Sequence, residues 1–119
     1  MAALGPGRIF WAVYPGQRGG GKLRPMVIVT SLKDILSTKQ LLAVVCTTVF
    51  ASPPPENEVV LPHREDGMGI TALKQPTVAV CDWTTPFAVA DISETGGQVP
   101  PTLLREICRK AGIRLAPER

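Results

Sequence analysis

The chain has 119 residues, of which 45% are hydrophobic and 19% are charged, and its formal net charge is +3. This composition excludes a disordered chain and predicts one compact domain over residues 1–119 that can bury a core without disulfides or metal ions. The three cysteines are far apart in apolar surroundings, which predicts reduced, buried thiols. No stretch approaches the roughly 20 apolar residues of a membrane span, so we expect a cytoplasmic protein that does not contact membranes.

Short apolar runs separated by turn residues predict a mainly β fold. The predicted strands cover residues 8–14, 25–31, 41–48, 58–61 and 77–82, with a short sixth strand at 87–92. The run LLAVVCTT is apolar on both faces, which predicts the centre of the sheet. A helical turn is expected within residues 32–39, and an amphipathic helix is expected from Pro101 to about Ala111. Together these elements predict a small curled sheet or barrel with one helix packed on it.

The basic loop after the first strand looks at first like a nucleotide-binding motif. Residues 16–22 (GQRGGGK) match the first seven positions of a phosphate-binding P-loop, but Leu23 stands where that loop needs a hydroxyl side chain. A strand is also expected to follow, where the P-loop needs a helix. Nucleotide hydrolysis is therefore disfavoured. What remains is either a solvated hairpin loop or a mobile cationic loop in which Arg18, Lys22 and Arg24 grip a phosphodiester.

Four segments followed by an amphipathic helix carry a family resemblance that covers nearly the whole chain. They are GRIFWAVYPGQRGGGKLRPMVIVTS, LLAVVCTTV, EVVLP and TVAVCDWTT. In this order they resemble the MazF/PemK toxin family of bacterial toxin–antitoxin systems. The resemblance implies a small SH3-like, CcdB-like β-barrel with a C-terminal amphipathic helix. It also implies a homodimer that cuts single-stranded mRNA without a metal or other cofactor, and an antitoxin protein as partner.

The resemblance further implies roles for individual residues. Arg24 matches the arginine of the family's Arg-Pro pair and would be the principal catalytic residue. Thr47 or Thr48 matches the family's threonine, and we favour Thr47 because a second small hydroxyl residue often follows that threonine. Asp82 matches an aspartate that helps to bind RNA, and the neighbouring Trp83 is a candidate for stacking on an unpaired base. Arg18 and Lys22 are the candidate RNA contacts in the basic loop.

The chain departs from the family pattern at several positions. Arg8 stands where an acid is common, Trp83 replaces a common glutamine, and Val80 and Thr84 stand where an arginine is often found. The sequence that would be cleaved therefore does not follow from the resemblance. The single histidine, His63, is a natural proton acceptor at neutral pH, but its turn-rich surroundings are more typical of a solvated side chain.

Metal-free RNA cleavage can use the neighbouring 2′-hydroxyl as nucleophile, which leaves a 2′,3′-cyclic phosphate and a 5′-hydroxyl. Arg24 suits the stabilisation of the extra negative charge, because its high pKa makes proton abstraction difficult. Two other functions stay open at this point. One is a CcdB-like poison of DNA gyrase, and the other is a non-catalytic barrel that binds RNA or a protein.

Overall fold

The computed structural model describes residues 4–13 and 23–115. Its strands are β1 (Arg8–Val13), β2 (Leu23–Ile28), β3 (Gln40–Thr47), β4 (Glu58–Leu61), β5 (Thr77–Ala88) and β6 (Glu94–Gln98). Its helices are α1 (Leu32–Thr38) and α2 (Pro101–Ala111), and a single 3₁₀ turn covers Val89–Asp91. Tyr14 and the predicted basic loop, with Arg18 and Lys22, lie outside the described residues.

The strands form one antiparallel sheet in the order β4-β5-β3-β2-β1-β6. The sheet curls until β6 reaches the segment that follows β4. There the Gly97 amide donates to the Thr71 carbonyl over 3.2 Å and the Gln98 amide donates to the Ile70 carbonyl over 2.8 Å. These two hydrogen bonds join the edge strand β6 to the segment that follows the other edge strand, β4, and the curled sheet forms a half-barrel.

Each face of the sheet packs into its own hydrophobic core. One core lies beneath α2 and includes Val44, Cys46 and Ile107, and we call it the helix-side core. The other includes Phe10, Met26, Ile28, Val45 and Phe87 and is closed by Ile35 of α1, and we call it the opposite core. Side chains alternate between the two cores along β3, as the pleat of a strand requires. Burial on both faces holds β3 at the centre of the sheet.

The structure confirms the mainly β fold, the central third strand and the C-terminal amphipathic helix. The α2 helix begins after Pro100 and ends at Gly112, which adopts the left-handed conformation with a φ of 73°. The three cysteines, Cys46, Cys81 and Cys108, are buried and unpaired. Burial raises the pKa of each thiol, for Cys81 to about 11. No helix within the described ranges is long and apolar enough to cross a membrane.

Three predictions about the strands are wrong. The predicted strand at 77–82 and the first two residues of the predicted strand at 87–92 belong to one long strand, β5. This strand ends at Ala88, and the 3₁₀ turn follows it. Pro86 is tolerated inside β5 because β4 pairs only with Thr77 to Val80, which leaves this half of β5 with a single neighbour. β2 begins at Leu23 rather than at Pro25, because Pro25 lies just outside the part of β2 that pairs with β3.

The third difference is an omission, because the sequence predicts no strand where the structure has β6. Its sequence, ETGGQ, contains two glycines and no apolar residue, so strand propensity gives no indication of it. The close approach of its backbone to Ile70 and Thr71 explains the composition. A Cβ atom at Gly97 would overlap the backbone of both residues, so only glycine fits there.

Candidate functional site

Arg24 lies at the start of β2, on the face of the opposite core. It is paired with Ala12 of β1, and it is two residues before Met26, which belongs to that core. β2 and β3 are antiparallel with Met26 opposite Val45, so the same register continued by two residues brings Arg24 opposite Thr47. Arg24 is half-buried. The strand register thus brings together Arg24 and the threonine that the sequence favoured.

The Arg24 guanidinium lies over the ring of Trp83, with Cζ 5.6 Å from the ring centroid. This distance is within the range of a cation–π interaction. Arg24 Nε is buried and has no hydrogen-bond partner among the described residues. The guanidinium is therefore oriented by an aromatic ring, and its buried Nε–H has no partner among the described residues.

A bulge in β5 brings Trp83 to this position. Val44 pairs with Thr84 and Cys46 pairs with Ala79, so residues 80–83 of β5 lie opposite the single residue Val45. Bulges of this kind redirect side chains and are common beside active sites. Within the bulge Cys81 enters the helix-side core, whereas Trp83 packs against the opposite core. Asp82 lies between them and is exposed.

The two candidate threonines have different surroundings. Thr47 is half-buried opposite Val78, and its hydroxyl accepts a hydrogen bond from the Val49 amide over 3.1 Å. Thr48 is exposed and lines a separate groove of about 270 Å³ together with Trp11. Only Thr47 shares the face of Arg24. The sequence does not determine which of the two threonines faces Arg24, and the strand register places Thr47 on that face.

The other aromatic and titratable candidates are distributed away from Arg24. Phe10 is fully buried and its ring packs against Phe87, with the centroids 5.4 Å apart. Trp11 packs against the helix-side core, on the other side of the sheet from Arg24. His63 is exposed in the turn after β4. The position of His63 matches the expectation of a solvated side chain.

Glu58 is a candidate that sequence reasoning missed. It is half-buried at the start of β4, opposite Val80 at one end of the β5 bulge. Its Oε1 atom is buried without a hydrogen-bond partner in the described part of the chain. The sequence EVVL marks a strand, but a single acid at the end of a strand gave no indication of burial.

The described ranges contain no group of three or more His, Cys, Asp or Glu side chains arranged to hold a metal ion. The candidate site offers the guanidinium of Arg24, the indole of Trp83, a threonine hydroxyl and the carboxylates of Glu58 and Asp82. These groups can neutralise, orient and hydrogen-bond a phosphodiester, and a carboxylate can also accept a proton.

No family model and no curated protein sequence matches the chain. Solved structures do match. The MazF toxin of Deinococcus radiodurans superposes with a TM-score of 0.74 at 19% identity, over 94% of this chain and 96% of that one. A mycobacterial endoribonuclease in complex with its cognate antitoxin gives a TM-score of 0.69 at 17% identity, over 92% of each chain. The Mycobacterium tuberculosis toxin MazF-mt6 gives 0.65 at 21% identity, over 88% and 92%.

These matches show that the chain has the fold of MazF toxins over almost its whole length. The fold implied by the family resemblance, a small β-barrel with a C-terminal helix, is thereby confirmed. At these identities the comparison concerns the fold, and function has to be argued from the site itself.

Proposed function

We propose that this protein is a toxin of the MazF family, an endoribonuclease that cleaves single-stranded RNA by attack of the 2′-hydroxyl on the neighbouring phosphodiester. The observation that carries the proposal is the half-buried Arg24 on the face it shares with Thr47 and Trp83, in a chain with the MazF fold. An oriented guanidinium with a free Nε–H is suited to a phosphate that gains negative charge in the transition state.

Each residue has a distinct role in this proposal. Arg24 donates hydrogen bonds to the non-bridging phosphate oxygens, and it does so more strongly in the transition state, where the charge on them is greater. Thr47 donates its hydroxyl hydrogen to the same phosphate, since the hydrogen bond from Val49 occupies only one of its lone pairs. Asp82, exposed in the bulge, contacts the RNA beside the cleaved bond. Arg18 and Lys22 contribute positive charge along the RNA backbone.

The proposal extends to the partners of the protein. Relatives of the same fold include a MazE–MazF complex and an endoribonuclease held by its cognate antitoxin. We infer that this chain likewise binds an antitoxin, whose acidic segment neutralises the cations around Arg24. It acts in the cytoplasm as a homodimer, so that two chains complete one RNA groove.

The direct test is cleavage of a single-stranded RNA in the presence of EDTA. We expect the wild type to cut and to leave a cyclic phosphate, and a single 2′-deoxy nucleotide at the cut position to abolish cleavage. Cleavage of that deoxy substrate would exclude the 2′-hydroxyl mechanism. Binding of RNA without cleavage over hours would instead favour a non-catalytic barrel, and gyrase-dependent DNA breaks would favour a CcdB-like function.

The residue-level test is Arg24→Ala, with Arg109→Ala as the matched control. Arg109 is exposed on α2, away from the face of Arg24, and has no ion pair within the described ranges. We expect Arg24→Ala to lower kcat by about 100-fold or more, as removal of a donor to a developing oxyanion does. Arg109→Ala should retain wild-type cleavage. Equal activities of the two variants would contradict the role of Arg24.

A further inference from the structure

Glu58 lies on the same face of the sheet as Arg24. Val59 and Leu61, its neighbours in β4, both belong to the helix-side core. Because successive side chains of a strand point to opposite faces, Glu58 and Val60 face the other way. The cross-strand pairing gives the same result. Val60 and Thr47 are both paired with Val78 of β5, and directly paired residues point to the same face of a sheet. Glu58 therefore belongs to the face that carries the candidate site.

Glu58 and Arg24 approach the β5 bulge from its two sides. Arg24 reaches over β3 to the ring of Trp83 at one end of the bulge, and Glu58 pairs with Val80 at the other end. Each has one buried polar atom, Nε of Arg24 and Oε1 of Glu58, that makes no hydrogen bond to the described residues. A buried unpaired polar atom lowers stability, so two of them at one bulge indicate atoms that a bound ligand satisfies.

The proposed reaction needs a proton acceptor, and the other candidate residues of the site are less suited to that role. The guanidinium of Arg24 has five hydrogen-bond donors and no acceptor, and Thr47 offers only a hydroxyl. His63 is exposed in the turn beyond β4, and Asp82 is exposed on the bulge. Glu58 alone among the described residues near the bulge combines a carboxylate with partial burial and an oxygen free to accept a hydrogen bond.

We propose that Glu58 is the general base of the cleavage reaction, taking the proton of the attacking 2′-hydroxyl. The proposal rests on the endoribonuclease function proposed above. The 2′-oxygen forms a bond to phosphorus while the bond from phosphorus to the 5′-oxygen breaks. The 2′-hydroxyl proton moves to the Glu58 carboxylate, and the departing 5′-oxygen takes a proton from water. Glu58 then returns its proton to solvent, which leaves a 2′,3′-cyclic phosphate and a 5′-hydroxyl.

The test compares Glu58→Gln with Glu56→Gln, because Glu56 is an exposed acid two residues away. Both variants are assayed on an RNA oligonucleotide with one cleavable bond, in its natural form and with sulfur in place of the 5′-bridging oxygen. We expect Glu58→Gln to lower kcat by about 100- to 10,000-fold, the usual contribution of a general base, and to leave KM within about threefold. Glu56→Gln should match the wild type.

The sulfur substrate distinguishes a base from an acid, since a thiolate leaves without protonation. The defect of Glu58→Gln should be as large on this substrate as on natural RNA. The melting temperature of the variant should stay close to that of the wild type, because glutamine has the same size and Oε1 makes no hydrogen bond to the described residues that could be lost. Glu58→Asp, which keeps a carboxylate, should retain part of the activity that Glu58→Gln loses.

Three results would overturn the assignment of Glu58 as base. They are an unchanged kcat in Glu58→Gln, a change in KM alone, and recovery of activity on the sulfur substrate. The first two show that Glu58 takes no part in the chemical step, and the third makes it the acid. If the wild type itself fails to cut RNA, the proposed function fails and this role fails with it. A normal wild type beside an unimpaired Glu58→Gln rejects the base alone.

Discussion

The contact between Arg24 and Trp83 predicts that the two side chains stabilise the folded state together. The perturbation is a double-mutant cycle of Arg24→Met and Trp83→Leu, which removes the guanidinium and the aromatic ring but keeps apolar bulk. Cation–π pairs contribute about 0.5–1 kcal/mol when exposed and about 2 kcal/mol when desolvated. Since both side chains are half-buried and 5.6 Å apart, we expect a coupling energy of about 1 kcal/mol.

The assay is urea denaturation of the wild type, both single variants and the double variant, which isolates the pairwise term from other effects of each substitution. A coupling of about 1 kcal/mol corresponds to roughly 4 °C in melting temperature for a domain of this size. The control is a second cycle of Arg109→Met with Trp83→Leu, which should show additive effects because Arg109 is on α2. A coupling near zero in the first cycle would refute the contact.

The same variants separate two roles of Trp83. If the ring orients Arg24, Trp83→Leu should lower kcat by about fivefold, since about 1 kcal/mol of orientation is lost, and should leave KM nearly unchanged. A stacking contact to an unpaired base would instead raise KM, and Trp83→Phe would recover most of the affinity. A kcat effect that persists in the absence of Arg24 would contradict the orienting role.

Two further predictions concern the fold. Gly97→Ala should lower the free energy of unfolding by about 1–3 kcal/mol, because the added Cβ would overlap the backbone of Ile70. Gly5→Ala is the control, since a Cβ there meets open space and should change the free energy of unfolding by under about 1 kcal/mol. Equal urea midpoints for the two variants would contradict the close approach of β6 to Ile70. Cys81 should resist iodoacetamide in the native protein at pH 7.5, and stability should fall from about pH 9 to about pH 11, because the unfolded thiol loses its proton before the buried one does. Urea denaturation across that pH range should show a weaker decline in Cys81→Ala.

The sequence predicts those parts of the fold in which local composition and burial agree. The apolar run of β3 and the one-sided pattern of α2 both indicate their positions in the core. Long-range contacts decide the rest. The Gly-Gly pair in β6 has no strand propensity, and it is in a strand because only glycine fits against the backbone at Ile70. The continuity of β5 through Pro86 is likewise not visible in the sequence, because it depends on this part of β5 pairing with β3 alone among the described strands.

The residues of the candidate site likewise fall into two groups, those that a local sequence pattern indicates and those that depend on long-range contacts. Arg24 is recognisable because an arginine before a strand proline, after a glycine-rich loop, is a local pattern. The choice between Thr47 and Thr48 depends on the phase of β3, which the register with β2 provides. Glu58 is not recognisable from the sequence, since nothing in EVVL indicates a partly buried carboxylate and its cross-strand partner Val80 is more than twenty positions away along the chain.

The bulge in β5 explains how one strand serves both a core and a site. Cys81 and Trp83 are two residues apart, so in a regular strand they would point to the same face. The extra residues opposite Val45 let Cys81 enter the core beneath α2 while Trp83 turns to the face of Arg24. The bulge also interrupts the ladder between β3 and β5 beside the two buried polar atoms of Arg24 and Glu58. The face of the opposite core thus combines fully buried apolar side chains with two buried polar atoms that have no partner among the described residues.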